Sequence, residues 1–143
     1  MNPSTSINQW IWKYPASLEN IEQVCSNALQ ALDEYSLQIK DLFSFELLLR
    51  ESLNNAVIHG CHENPLLSFS CRLMISEQGL IIEVSDEGPG FDWHGKVEAR
   101  PASFDEMGRG LLIYDLYANS VRFNESGNCV TLKINFDQGD KND

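Results

Sequence analysis

Long apolar runs are absent from this chain of 143 residues. None approaches the ~18 residues a membrane-spanning helix needs, so an integral helical membrane protein is excluded. Basic residues are scarce too: 10 against 21 acidic, a net charge of -11. Such a surface repels nucleic-acid phosphate and argues against a nucleic-acid partner. There is no CxxC pair; Cys25, Cys61, Cys71 and Cys129 are scattered through apolar or half-apolar runs, the setting of buried thiols. Disulfides are not implied, and a reducing cytoplasm is the expected location. His59, Cys61 and His62 fit no standard zinc spacing. Missing as well are a GxxxxGK[ST] phosphate loop, a GxGxxG dinucleotide fingerprint, and the HRD and DFG signatures of protein kinases. The opening residues, MNPSTS, carry no basic cluster followed by an apolar stretch, so no secretion leader is expected.

What is present suits a globular domain. Apolar residues make up 43% of the chain, and its length falls within the ~100–150 residues typical of one domain. A single domain over 1–143 is expected, with a polar tail from about residue 137. Ile7 to Tyr14 alternates as a strand does and is closed by Pro15. Ser17 is placed to cap a helix in which Leu18, Ile21, Val24, Cys25, Ala28, Leu29 and Leu32 follow amphipathic spacing. A second helix, from about Leu42 to His59, is apolar around most of its circumference and should be central, with Gly60 ending it in a left-handed conformation.

Two runs of strand formers, Leu67–Ile75 and Leu80–Ser85, flank Ser76-Glu77-Gln78-Gly79 and predict an antiparallel hairpin with a four-residue loop. The aperiodic stretch from Gly88 to Met107 predicts a long functional loop. A helix from about Arg109 to Tyr117 and strands at Ser120–Asn124 and Val130–Phe136 complete the chain. The order predicts an α+β fold: a two-layer α/β sandwich, its sheet mixed and mostly antiparallel, with helices on one face. Trp10, Trp12 and Trp93 are expected to be core or partner-facing aromatics.

Three segments carry chemistry. Glu51, Asn55 and His59 recur every four residues on the second helix, so they share a face. A carboxylate and an amide carbonyl there suit Mg²⁺, which keeps waters and takes substrate phosphates; a buried polar patch is the plainer alternative. Asp86-Glu87-Gly88-Pro89-Gly90-Phe91 follows a strand. Its carboxylate can accept a hydrogen bond from an exocyclic amine such as that of adenine, while its glycines allow close backbone approach; an ordinary turn uses the same residues. Gly108-Arg109-Gly110-Leu111 opens a helix, where backbone N–H groups and an arginine make a phosphate site; a flexible helix entry is the alternative.

Taken together and in this order, E-x-x-x-N-A-x-x-H-G, D-x-G-x-G-F and G-x-G-L resemble the N, G1 and G2 boxes of the GHKL superfamily of ATPases and kinases. The match spans roughly residues 46–116, and the flanking elements extend it over most of the chain. Within the superfamily the chain looks most like the bacterial anti-sigma-factor serine kinases. It shares the small single domain, the N box ending in His-Gly and the short segment between the G1 and G2 boxes.

The resemblance implies the Bergerat ATP-binding fold, ATP and Mg²⁺ as cofactors, and a role for each matched position. Asn55 would hold Mg²⁺, and Glu51 would serve as general base on a partner's serine hydroxyl or on water. Asp86 would read the adenine amine, with Gly88 and Gly90 allowing close approach. Gly108, Arg109 and Gly110 would close on the phosphates. It further implies a protein-serine/threonine kinase acting on a STAS-domain anti-sigma-factor antagonist, with a sigma factor or another response regulator as output. Homodimerisation is common in the resembled family.

Glu106-Met107 departs from the family, which has a basic residue just before the lid glycines. The lid's positive charge would then come from Arg109, Lys96 or Arg100. The same departure keeps a second function open: an ATP-binding partner-switching module that sequesters a regulator without phosphorylating it. A detached catalytic domain of a histidine phosphorelay is the third alternative, and nothing before residue 40 supplies the helical phospho-acceptor segment it needs.

Overall fold

The structure, a computed structural model, describes residues 7–90 and 106–137, the side chains of 106–109 excepted. The elements run β1 (Asn8–Pro15), α1 (Leu18–Leu32), a 3₁₀ turn (Asp33–Tyr35), α2 (Ile39–Asn54) and a π-helical segment (Asn55–Gly60). There follow β2 (Ser68–Ser76), β3 (Gly79–Asp86), α3 (Glu106–Tyr117), β4 (Ser120–Phe123) and β5 (Cys129–Asn135). The strands form one sheet in the order β1-β2-β3-β5-β4. Every pairing among them is antiparallel, so the described sheet contains no parallel pair. The fold is thus the expected α+β two-layer sandwich.

Alternation along the strands sets the layers. Phe69, Cys71, Leu73 and Ile75 of β2, Leu80, Ile82 and Val84 of β3, and Val130, Leu132 and Ile134 of β5 are all buried on one face. The register places Trp10, Trp12 and Tyr14 of β1 opposite Leu73, Cys71 and Phe69, on that same face. The other face carries polar pairs such as Arg72–Glu83, 3.6 Å apart, and Ser70–Ser85, 2.8 Å apart. Only a sheet covered on one side needs this pattern.

The covering layer is α1, α2 and α3, with α2 in the middle against both other helices and over β3 and β5. Ser17 caps α1 as its sequence predicts, its hydroxyl accepting the N–H of Asn20 at 3.2 Å. Arg50 of α2 forks onto Glu22 of α1 at 2.6 and 3.2 Å, a surface tie between the two helices. Phe45, Leu48, Leu49 and Leu53 turn wholly inward. The burial of α2 is nevertheless one-sided. Phe43, counted in sequence among the apolar girdle, is 58% exposed and makes an edge contact with Tyr117, with ring centroids 5.9 Å apart.

Several boundaries differ from expectation. The β2–β3 hairpin pairs Ser76 with Gly79, leaving a two-residue turn at Glu77-Gln78 instead of a four-residue loop. Helix α2 starts at Ile39, three residues early, although Gln38 gives no side-chain cap. Helix α3 begins at Glu106, so Gly108 and Gly110 lie inside its first turns and not at its entry. Gly60 is not left-handed either. At this helix end positive φ comes instead at His62 (55°) and Glu63 (56°), after a π-helical segment in which the N–H of Cys61 reaches the carbonyl of Ala56 at 2.8 Å. Of the long loop, residues 91–105 lie outside the described residues, with Trp93, Lys96 and Arg100 among them. The tail beyond residue 137 lies outside them too.

Candidate functional site

A partly open cleft lies between the C-terminal end of α2, the end of β3, α3 and the β4–β5 turn. Each wall follows from local structure. On the α2 side, Ser52, Asn55, Ala56 and His59 line the cleft, the three- and four-residue spacing of one helical face continued into the π segment. Val84 and Asp86 come from β3, whose alternation carries the inward face of Leu80, Ile82 and Val84 on to Asp86. Leu111 and Tyr114 of α3, Phe123 of β4 and Val130 of β5 give an apolar floor suited to a flat ring.

Asp86 lines this cleft. Partial burial raises its carboxyl from 3.8 to about 6, while the N–H of Gly88, donated to Oδ1 at 2.8 Å, pulls the other way. Its backbone N–H is taken by the carbonyl of Asn128 at 2.9 Å. Two glycines make room for it. A Cβ on Gly60 would stand 2.5 Å from Asp86 Oδ2, and one on Gly88 would stand 1.9 Å from the carbonyl oxygen of Gly60. Gly90, at φ 83°, packs against the β4–β5 turn, where a Cβ would meet the carbonyl of Ser126 at 1.9 Å. Gly60 therefore serves by clearance, a role its position at a helix end does not reveal.

A second cluster forms around Gly110. A Cβ on Gly110 would lie 3.0 Å from Asn55 Nδ2, 3.5 Å from its Oδ1 and 3.6 Å from Glu51 Oε2. Helix α3 thus passes directly beside the α2 carboxylate and amide. Asn55 donates from Nδ2 to the hydroxyl of Tyr114 at 2.9 Å, leaving its carbonyl oxygen as an acceptor. Tyr114 is 2% exposed, and burial pushes its phenol well above its ordinary range, so it stays a neutral hydroxyl.

Of the residues singled out in sequence, Asn55, Asp86 and Gly90 line the cleft. Gly88 and Gly110 set the approach of its walls, and Glu51 flanks it next to Asn55 and Gly110. The backbone of Gly108 and Arg109 is helical, but the side-chain role expected of Arg109 lies outside the described residues. His59 faces the cleft, while Cys61 is buried behind it with Sγ 3.8 Å from the carbonyl of Ser68. No three His, Cys, Asp or Glu side chains among the described residues converge on a point where a metal would sit.

Sequence reading missed Tyr114, Phe123 and Asn128. Tyr114 had a usable signal, since it falls four residues after Gly110 on the same helix. Asn128 had none beyond its place in a turn.

The family model of the histidine kinase-like ATPase domain matches residues 14–134. No curated protein matches the chain by sequence. The matched span runs from the end of β1 almost to the end of β5 and takes in every wall of the cleft. The chain therefore belongs to the histidine kinase-like ATPase domain family, an ATP-binding domain of the GHKL type.

Proposed function

We propose that this domain is a protein-serine/threonine kinase that uses ATP with Mg²⁺ and phosphorylates a STAS-domain antagonist of an anti-sigma-factor type. In that reading it switches a sigma factor or another response regulator between partners in the cytoplasm. One observation carries it: Glu51 and Asn55 gather beside Gly110, while Asp86, beside Gly60 and Gly88, lines the same cleft as Asn55. Phosphoryl transfer asks for positioning and charge neutralisation more than covalent chemistry, so a set this small suffices.

Asp86 would accept the adenine amine, and the apolar floor of Leu111, Tyr114 and Phe123 would take the ring. Asn55, with its carbonyl oxygen unspent, suits a cation that keeps most of its ligands as water and phosphate oxygen. Bound Mg²⁺ would supply positive charge to offset that of the phosphates. Glu51 would take the proton of the attacking serine hydroxyl, and Gly110 lets the backbone of α3 come close enough to close the site. Among the described residues no helix is long and apolar enough to cross a membrane, which fits a regulator meeting its partner in solution.

A second reading, sequestration of a regulator without phosphorylation, is supported by Glu106-Met107 standing just before Gly108. Transfer of labelled γ-phosphate from ATP and Mg²⁺ to a STAS-domain protein of the same organism separates the two. Acid-stable label that disappears with Asn55→Ala supports the kinase. A stable ATP-dependent complex without label favours sequestration, and acid-labile label would point to a histidine phosphorelay instead.

The carboxyl of Asp86 also makes nucleotide binding depend on pH. The ionised form is the stronger acceptor for the adenine amine, and burial raises its titration to about 6. ATP affinity should therefore rise with pH through that point and level off above it. Below it the affinity should fall by up to about tenfold per pH unit. The free protein runs the other way. Its native carboxyl holds a proton more tightly than the unfolded chain does, so its own contribution to stability declines as pH rises from 3.8 towards 6. Calorimetric titrations between these limits check both slopes; an Asp86→Asn variant with the same pH profile would remove Asp86 from the adenine site.

A further inference from the structure

Asn55 has two donors and one carbonyl oxygen, and one donor is already committed: Nδ2 gives its hydrogen to the Tyr114 hydroxyl at 2.9 Å. Tyr114 is 2% exposed and lies one helical turn beyond Gly110. Its ring is braced by Phe123, with centroids 6.4 Å apart. The same helix therefore holds the amide twice. A Cβ on Gly110 would stand 3.0 Å from Nδ2, and the Tyr114 hydroxyl accepts one of that nitrogen's hydrogens.

We infer that Tyr114 is a positioning residue of the metal–phosphate site: by taking an N–H of Asn55 it commits the amide's carbonyl oxygen to a hard cation. Without that contact the amide is free to turn over and offer its NH₂ group to a phosphate oxygen, so nucleotide would bind with less need of metal. The inference rests on the ATP and Mg²⁺ reading above and adds to it a reason for a hydroxyl at position 114. Burial keeps that hydroxyl protonated, and its contact with Asn55 is unaffected by pH in the physiological range.

The test is the affinity for ADP by calorimetry, in Mg²⁺ and in EDTA, for wild type and Tyr114→Phe. The quantity read is the ratio of the two affinities. Tyr114→Phe should keep the affinity in EDTA and lose roughly tenfold of the gain from Mg²⁺, the size expected when the partner of a metal ligand is removed. An unchanged ratio overturns the inference. So does an equal loss in both conditions, which would make Tyr114 a packing residue of the cleft floor. A wild type with no gain from Mg²⁺ sinks the metal reading itself, a result the variant is not needed to see.

If Tyr114→Phe fails to fold, the wild type still decides. In ¹⁵N-labelled protein the side-chain NH₂ of Asn55 should contain one slowly exchanging proton that persists when ADP and Mg²⁺ are added. Fast exchange of both protons, or loss of the slow one on adding Mg²⁺, means the amide is turned the other way and overturns the inference.

Discussion

Glu51→Gln should bind ATP as the wild type does and lose phosphoryl transfer by about 10²–10⁴-fold, the contribution of a general base. The substitution keeps size and shape while removing the negative charge and the capacity to accept a proton. Glu51 belongs to the flank of the cleft and not to its lining, since its Oε2 lies 3.6 Å from a Cβ position on Gly110 while Asn55 and Ser52 face the cavity. Binding and transfer should therefore separate cleanly. Single-turnover transfer from labelled ATP, beside a binding isotherm for each protein, measures the two effects independently. Transfer at the wild-type rate would show that the base is some other group or that none is needed; loss of binding as well would make Glu51 a structural part of the cleft.

Gly88→Ala should be as damaging by another route. Its new methyl group would fall 1.9 Å from the carbonyl oxygen of Gly60 and 2.9 Å from Asp86 Oδ1. The first obstacle is backbone and cannot rotate away, so the turn after β3 must move and take Asp86 with it. Overpacking of this kind costs about 1–3 kcal/mol, or roughly 10–100-fold if expressed in ATP affinity. Gly60→Ala is the informative comparison. The nearest atoms to its methyl group belong to the Asp86 side chain, at 2.5 Å, which can turn aside at the expense of its own aim. A thermal melt and an ATP isotherm on both variants should show Gly88→Ala losing stability and binding together, and Gly60→Ala losing chiefly binding. Wild-type behaviour from Gly88→Ala would mean that α2 and β3 do not meet at these two glycines.

The parts of this molecule legible in sequence are those whose signal is local or repeated. Ser17 and the apolar spacing of α1 mark a helix unaided, and alternation in β2 and β3 marks both strands and their shared inner face. Asn55, Asp86 and Gly110 were recognisable because motif order stands in for the geometry that unites them. What escaped depends on distant neighbours. Tyr114 and Asn55 are 59 residues apart, and no periodicity links them. Gly60 looks like a helix stop because its true constraint, the carboxylate of Asp86, arrives from another layer. The early start of α2 escaped because Gln38 offers no capping side chain. The outward turn of Phe43 escaped because an apolar residue is read as inward until its neighbours are known.

The β4–β5 turn has a consequence for which sequence changes the domain can accept. Surface hairpins normally absorb insertions and deletions with little effect. Here Asn124 Oδ1 accepts the N–H groups of Gly127, Asn128 and Cys129 at 2.8, 3.0 and 3.2 Å, winding the turn around a single side chain. Asn128 then reaches across to the carbonyl of Gly88 with its amide, at 3.3 Å, while its own carbonyl holds the N–H of Asp86. An added residue would break the winding and shift the clasp together. Length at this hairpin is thus as constrained as identity is in the site it touches, and variation should collect instead at the Glu77-Gln78 turn, where the sheet reverses away from the cleft.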